Sequence, residues 1–371
     1  MTASAWPVAE ADVIAPVAEH DELRQVVRQM LDKMAGPERV RAAAESERGY
    51  AVDLWCLLHE ELEIGALAVP EALGGHGYGL REVAVVLEEC GAALLPEPIV
   101  SSSVLGCHAL AAAEDAASVA TLLAAVMVGD RIVAVALDGD PLEVRTGEAG
   151  PVARGRIARV AHAAIADHVV TVGDGPEGAV LLLVDAADCA ITPLTCLDGS
   201  RPQAQVRAEG VPVTVLATGD RATEAIGRLR MVQDIAVAAE HAGMTTRLLE
   251  LVVGYVEQRR QFGRQIGSFQ AIKHRLADVL VDRERALSAV RYAAAVFDAD
   301  PAAAAIPVAV AASVCTDAVI RTVHETVQLH GGIGFTWEHP AHLYVRRALG
   351  DEGLYGSGRD HRRRLAELLD F

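Results

Sequence analysis

The chain has 371 residues, of which 51% are apolar, and its formal net charge at pH 7 is −18. That length allows two or three domains with buried cores. The acidic balance argues against a nucleic-acid-binding surface and against binding to anionic membranes. The sequence shows no basic stretch followed by an apolar core at its start, and no apolar run of the roughly 20 residues that a membrane span needs. We therefore predict a cytoplasmic protein.

The first third of the chain has helical periodicity. Between about residues 21 and 115, apolar residues such as Val83, Val86 and Leu87 recur at helical spacing. A glycine run at Gly74–Gly79 interrupts the pattern and superficially resembles a dinucleotide-binding fingerprint. It does not follow a strand or lie in an alternating strand–helix unit, so we interpret it as a loop between helices.

The middle of the chain has the composition of a β domain. Five short, mostly Val-rich runs are separated by Gly, Asp or Pro, which is typical of strands and turns. These runs are Arg131–Leu137, His168–Val172, Ala179–Asp185, Gln203–Ala208 and Val211–Leu216. Helical periodicity returns at Arg221 and holds almost to the end. The pattern predicts a helical domain at 1–126, a β domain at 127–219 and a second helical domain at 220–371.

One stretch, Arg259–Gln270, lies between two long apolar-periodic runs, Glu240–Val256 and Ala271–Val290. Its glycine turn and Ser268, a candidate N-cap, predict a short loop between two long helices. The arginine pair at its start would suit the exposed C-terminal end of a helix. Alternatively, the pair grips an anion, with the glutamines of the stretch as further donors.

A second stretch, Gln328–Thr336, is rich in glycine and alone would predict a helix C-cap and a turn. The first stretch, continued through Ala271–Asp278, resembles the signature helix–turn–helix of the flavin-dependent acyl-CoA dehydrogenase family. The second resembles that family's glycine-rich segment near the C-terminus, and the two occur in the family's order. The resemblance implies a fold that is mainly α with a β middle domain: an N-terminal helical domain, a β-barrel-like domain and a C-terminal four-helix bundle.

The family resemblance also implies a reaction. In this family FAD takes a hydride from the β-carbon of an acyl-CoA thioester while a carboxylate removes the α-proton. It implies FAD as cofactor, an acyl-CoA as substrate and electron-transfer flavoprotein as electron acceptor. It assigns contacts with the pyrophosphate and adenosine end of FAD, across a subunit interface, to residues of the first stretch, and contacts with the same cofactor to residues of the second. These residues are Arg259, Gln261, Phe262, Gln270, Gln328, Gly331 and Gly332.

The family's catalytic base is not where the resemblance places it. The usual glutamate follows a tyrosine, but Tyr355 is followed by Gly356, which cannot accept a proton. Some members carry the base on the helix before the arginine stretch, where this chain has Gln233. Asp234 beside it and Glu240 further along are candidate bases. Alternatively, the first is an exposed helix residue and the second is paired within the bundle. The Thr-Glu-Pro and Trp-Ile-Thr segments that contact the flavin ring in the family are also missing.

These departures leave three hypotheses. In the first, the chain is a subunit of a heteromeric α2β2 dehydrogenase, as in actinobacterial steroid side-chain degradation, and a homologous partner supplies the base and the flavin-ring contacts. In the second, it is a self-sufficient homo-oligomeric dehydrogenase that uses Asp234. In the third, it is a structural or regulatory subunit without turnover.

Other residue clusters predict less. The six cysteines are scattered without a Cys-x-x-Cys pair, which favours buried free thiols. Pro340 separates His339 from His342, which disfavours a metal-binding helix, so we predict surface histidines and no metal site. The basic cluster Arg359–Arg364 is interpreted as a solvated helix face, with a CoA phosphate or a partner subunit as alternatives.

Overall fold

The computed structural model describes residues 17–148 and 150–371. Its α-helices are α1 Ala18–Met34, α2 Pro37–Ala44, α3 Val52–Glu60, α4 Leu80–Ala92, α5 Cys107–Ala111, α6 Ala116–Met127, α7 Gly219–Gln258, α8 Gln270–Ala299, α9 Ala305–His330, α10 Ala341–Tyr355 and α11 Gly358–Leu368. Its strands are β1 Val133–Ala136, β2 Leu142–Gly147, β3 Gly150–Ala161, β4 His168–Gly175, β5 Gly178–Asp185, β6 Ala190–Pro193, β7 Gln203–Thr218, β8 Arg260–Gln261 and β9 Arg264–Gln265. The predicted fold class, mainly α with a β middle domain, is confirmed.

Contacts between residues group the chain into two compact units. The first comprises residues 17–41, Leu80–Leu95 and Asp234–Phe371, and the second comprises Ala42–Gly79 and Pro96–Gln233. The first unit carries α8 to α11 and the β8–β9 hairpin, and the second carries β1 to β7. The domain limits after residues 126 and 219 remain a prediction.

In the second unit, β1 to β7 form one sheet that closes on itself. The closed ring runs β4, β2, β3, β7, β5 and back to β4, while β1 pairs parallel with β4 and β6 pairs antiparallel with β7. Closure places alternate side chains of each strand inside the barrel, where small and branched residues fill it. These buried residues include Ala134, Val144, Ala153, Ile157, Val169, Leu182, Val184, Val206 and Val211.

Two details of the predicted strands need correction. The runs at Gln203–Ala208 and Val211–Leu216 are a single strand, β7, which continues through Gly210 at a φ of 74°. The Val-rich pattern also missed β2, β3 and β6. In β3, exposed Arg154 and Arg156 lie between buried Ala153 and Ile157, so the strand never becomes an apolar run.

In the first unit, α9 contacts α8, α10 and α11, and α4 contacts α1 and α8. Glycines let α4 and α7 come close together. A Cβ on Gly243 would lie 1.7 Å from the carbonyl oxygen of Glu88, and one on Gly91 would lie 2.3 Å from that of Glu240. Backbones can pack this closely only where the side chain is absent.

One helix corrects the prediction that no apolar run reaches membrane-spanning length. Within the described part of the chain, Ala305–Gly334 is long and apolar enough, and most of it is buried inside the protein. Burial against α8, α10 and α11 is what the core helix of a bundle requires.

Candidate functional site

The stretch between α7 and α8 folds as a tight β-hairpin. Residues 260–261 pair with residues 264–265, which leaves Phe262 and Gly263 as the turn. Their φ angles are 50° and 80°. Positive φ at both central positions matches the twist of the flanking strands in two-residue hairpins. The predicted loop is therefore confirmed, and it presents the Phe262 side chain at its tip.

The prediction that Ser268 is the N-cap of α8 is wrong. The helix begins one residue later than a Ser268 cap requires, because Phe269 holds the N-cap position and supplies no side-chain cap. The Ser268 hydroxyl instead donates to the carbonyl of Gln265 at 2.6 Å and closes the turn before the helix. The start of α8 thus keeps its positive dipole end and uncapped amides available to an anion.

A small apolar cluster joins the two stretches that carry the family resemblance. Ile266 of the first stretch and Leu329 of the second pack together with Val252 and Val256 of α7, all buried. Tyr255 strengthens this junction, since its hydroxyl donates to the carbonyl of His330 at 3.3 Å and its ring lies 4.5 Å from the His330 ring. The fold therefore brings together two sequences that are about 60 residues apart in the chain.

All seven residues predicted to contact FAD are exposed around this buried junction. They are Arg259, Gln261, Phe262, Gln270, Gln328, Gly331 and Gly332. Ile266 and Leu329 are buried in the junction, whereas Phe262 is exposed together with the polar residues and with Gly331 and Gly332. Their contact with a cofactor remains a prediction.

The chemistry of this surface fits a dinucleotide pyrophosphate. Within residues 17–148 and 150–371, the structure gives Arg259 and Arg260 no carboxylate partner, which leaves both guanidiniums available to phosphate oxygens. Gly331 has a φ of 61°, and a Cβ on it or on Gly332 would meet nothing within 4 Å. The backbone there can be approached closely by a bulky anion.

Both candidate bases are buried in the first unit. The Asp234 side chain is 4% exposed and forms an ion pair with Arg364 of α11. The alternative that Asp234 is an exposed helix residue is therefore wrong. Glu240 is 3% exposed, and its Oε1 lies 3.9 Å from Nη1 of Arg347, a fully buried arginine on α10. This agrees with the alternative that Glu240 is paired within the bundle.

Gly356 ends α10 in a conformation that only glycine adopts readily, with φ 106° and ψ 150°. A Cβ at this position would lie 3.6 Å from the Cε1 and Nε2 atoms of His361. His361 is 6% exposed. Burial, together with the nearby charges of Arg364 and His241, lowers the pKa of His361 to about 4. A neutral imidazole therefore occupies the volume beside position 356.

His241, whose charge acts on His361, belongs to a polar cluster that the sequence did not predict. The Nε2 atom of His241 lies 3.3 Å from an Asp351 oxygen, and both side chains are almost fully buried. The hydroxyl of Thr316 lies 3.4 Å from the other ring nitrogen of His241. These residues come from α7, α10 and α9, so no local pattern could have revealed the cluster.

The basic cluster on α11 is largely paired. Arg362 forms an ion pair with Asp317, and Arg364 forms the one with Asp234. Arg362 is 52% exposed, so its pair is solvated, whereas that of Arg364 reaches the interior. The interpretation of this cluster as a solvated face therefore holds for Arg362, whereas Arg364 is 38% exposed and pairs with a buried carboxylate.

Comparisons with known proteins agree with this geometry. The model of the "Acyl-CoA dehydrogenase, N-terminal domain" matches residues 17–130, and that of the "Acyl-CoA dehydrogenase, C-terminal domain" matches residues 223–369. The acyl-CoA dehydrogenase IpdE2 of Mycobacterium tuberculosis is 37% identical over 352 residues, which cover 95% of this chain and 98% of that protein. The chain belongs to the acyl-CoA dehydrogenase family. Members of this family are FAD-dependent oxidoreductases, so the predicted cofactor and enzyme class are confirmed.

Solved structures show the same fold. A chain of the ChsE4-ChsE5 complex from Mycobacterium tuberculosis superimposes with a TM-score of 0.88 at 29% identity, covering 96% of this chain and 98% of that one. A chain of the Tcur3481-Tcur3483 steroid ACAD (acyl-CoA dehydrogenase) gives a TM-score of 0.86 at 29% identity, covering 95% of this chain and 98% of that one. The family's order of helical, barrel-like and helical regions is thus confirmed over almost the whole chain.

Proposed function

We propose that the chain is one subunit of a heteromeric FAD-dependent acyl-CoA dehydrogenase and that a homologous partner completes its active site. The observation that carries the proposal is the surrounding of Gly356. At the position expected for the family's glutamate, the backbone has a φ of 106° and the neighbouring volume holds His361. The surface expected to hold the cofactor's nucleotide end has kept its arginines and glycines.

The residues of this chain supply binding in the proposed reaction. A bound FAD would supply the hydride acceptor for the β-carbon of the acyl group. Arg259 would hold the cofactor's pyrophosphate through its guanidinium, and Gly331 and Gly332 would let the pyrophosphate approach the backbone. A carboxylate that removes the α-proton must come from elsewhere, because a glycine has no group that accepts a proton.

Asp234 does not remedy this lack within the chain. Its carboxylate is held by Arg364, so it would have to exchange that guanidinium for a substrate proton before acting as a base. Glu240 lies in the packed contact between α4 and α7, where Gly91 allows the two backbones to approach. These surroundings favour the heteromeric hypothesis over a self-sufficient homo-oligomer that uses Asp234.

The relatives support a partner and suggest a substrate class. Two of the similar solved structures are assemblies of two differently named proteins, and one of them is described as a steroid ACAD. We infer a homologous partner subunit in an α2β2 arrangement, a bulky steroid-derived acyl-CoA as substrate, electron-transfer flavoprotein as electron acceptor and a cytoplasmic location. The third hypothesis, a subunit without turnover, shares the fold and the loss at position 356, and differs in requiring no flavin in the assembly.

Co-expression tests the proposal. The chain is purified alone and together with each homologous acyl-CoA dehydrogenase-like chain of its organism, and FAD content and mass are measured. The proposal predicts a flavin-poor chain alone and a flavin-loaded assembly with one partner. An Arg259→Gln variant should lower the flavin content of that assembly, whereas Arg285→Gln, an exposed arginine on α8, should not. A fully flavin-loaded and active chain on its own would refute the proposal.

A further inference from the structure

The loop between α9 and α10 exposes an indole ring surrounded by cationic and imidazole groups. Trp337 is 61% exposed. The Cζ atom of Arg346 lies 4.8 Å from the centroid of its ring, and the His342 ring meets it nearly edge-on at 4.9 Å. Arg41 donates from Nη2 to the Trp337 carbonyl at 2.7 Å and fixes the loop backbone. We call these four residues the Trp337 cluster.

The two arginines of the Trp337 cluster have no acidic partner. Within the described ranges, 17–148 and 150–371, the structure pairs neither Arg41 nor Arg346 with a carboxylate, although the chain carries a net charge of −18. Other arginines, such as Arg362 and Arg364, are paired. The Nε atom of Arg41 is also buried and makes no hydrogen bond with any residue that the structure describes. A buried donor without a partner is costly, so this nitrogen favours a ligand that brings an acceptor.

His342 offers the complementary group, a hydrogen-bond acceptor. Its Nδ1 atom donates to the His339 carbonyl at 2.7 Å, which assigns the acceptor role to Nε2 in the neutral ring. Burial, and the positive charges of Arg41 and Arg346, lower the pKa of His342, which keeps the ring neutral near pH 7. Among the residues that the structure describes, none forms a direct hydrogen bond with the buried Nε2 atom. It therefore suits a ligand that brings an N–H donor.

We propose that the Trp337 cluster binds the adenosine diphosphate portion of a nucleotide. An exposed indole stacks with a purine ring, an imidazole acceptor suits the exocyclic amine of adenine, and two guanidiniums suit phosphate oxygens. FAD and coenzyme A both contain this portion, and only the expectation that one of these two is the ligand rests on the proposed function. The inference that the site binds adenosine diphosphate rests on the four residues themselves. Of these four residues, none is among those that the family resemblance assigns to the cofactor.

The test measures nucleotide affinity rather than turnover. The purified protein, as the chain alone or as its assembly, is titrated calorimetrically with ADP, coenzyme A and FAD. Trp337→Ala and Arg346→Gln should each weaken ADP binding about tenfold or more, because base stacking and an arginine–phosphate pair each contribute on that scale. Tyr78→Ala removes an exposed aromatic residue from the second unit and should leave the affinity unchanged.

The two other titrants distinguish the sources of the nucleotide. If the variants also lose affinity for coenzyme A but not for FAD, the site binds the nucleotide portion of the substrate. If they lose affinity for FAD but not for coenzyme A, it binds the nucleotide portion of the cofactor. Unchanged ADP affinity in both variants would overturn the proposal. Loss of assembly mass with unchanged ADP affinity would also overturn it and would identify the Trp337 cluster as a protein interface. A chain that proves active alone, yet loses ADP affinity in the variants, would refute the heteromeric function and leave this site standing.

Discussion

Replacing Asp234 by Asn distinguishes a catalytic base from a structural partner of Arg364. The Asp234 side chain is 4% exposed and that of Arg364 is 38% exposed, so one end of the pair reaches solvent. Asparagine keeps the shape and one acceptor oxygen. The loss is then the difference between a charged and a neutral hydrogen bond, about 1–2 kcal/mol of the free energy of unfolding. It stays below the roughly 3–5 kcal/mol lost when a fully buried pair is broken.

Urea denaturation measures that loss, and bleaching of the flavin absorbance by acyl-CoA in the flavin-loaded assembly measures catalysis. A structural role predicts a bleaching rate within a few-fold of the unsubstituted protein, whereas removal of a general base costs about 10²- to 10⁴-fold. Asp317→Asn is the matched control, since Asp317 pairs with Arg362 on the exposed side of α11 and should cost at most about 1 kcal/mol. Abolished bleaching with unchanged stability would refute the reasoning and identify Asp234 as the base.

Three further predictions concern packing and pH. Gly243→Ala should lower the free energy of unfolding, measured by urea denaturation, by about 3 kcal/mol or more, because the new Cβ would overlap the Glu88 carbonyl. Gly254→Ala in the same helix is the control. Its Cβ would meet no described atom within 4 Å, so it should raise the free energy of unfolding by up to about 1 kcal/mol. Leu329→Ala should cost about 2–4 kcal/mol and release FAD from the assembly, since the buried leucine joins the two stretches of the candidate site; loss of stability with FAD retained would contradict this. The pKa of buried His361, about 4, is lower than the roughly 6.5 of an unfolded histidine, so its stabilising contribution is complete above pH 6.5 and is lost as the pH falls towards 4. Between pH 6.5 and pH 4, the free energy of unfolding of the unsubstituted chain should fall by up to about 3 kcal/mol more than that of the His361→Asn variant. The same pH dependence in both proteins would contradict the lowered pKa of His361.

Sequence patterns predicted those parts of the fold that are determined by residues close together in the chain. The apolar periodicity around Arg259–Gln270 predicted two long helices joined by a short loop, because helical faces repeat within a few residues. The same reasoning missed β3, whose exposed arginines hide its alternation. It also placed the cap of α8 one residue early, because the side-chain rule for caps favours serine over the phenylalanine that stands there.

The pairings that decide the candidate site could not be predicted in this way. Asp234 and Arg364 are 130 residues apart in the chain, and nothing in either neighbourhood selects the other. His361 lies close to Gly356 in sequence, but its orientation towards that glycine depends on how α11 begins after a left-handed backbone residue. The loss of the glutamate at position 356 was visible in the sequence. What fills the space beside Gly356 required the structure.

We propose that this chain carries the nucleotide-binding surface of an acyl-CoA dehydrogenase but no catalytic base of its own. The most direct test is the bleaching of bound flavin by acyl-CoA, measured for the chain reconstituted with FAD alone and for its assembly with a homologous partner. We predict no bleaching by the chain alone and rapid bleaching by the assembly. Bleaching by the chain alone at the rate of the assembly would contradict the claim.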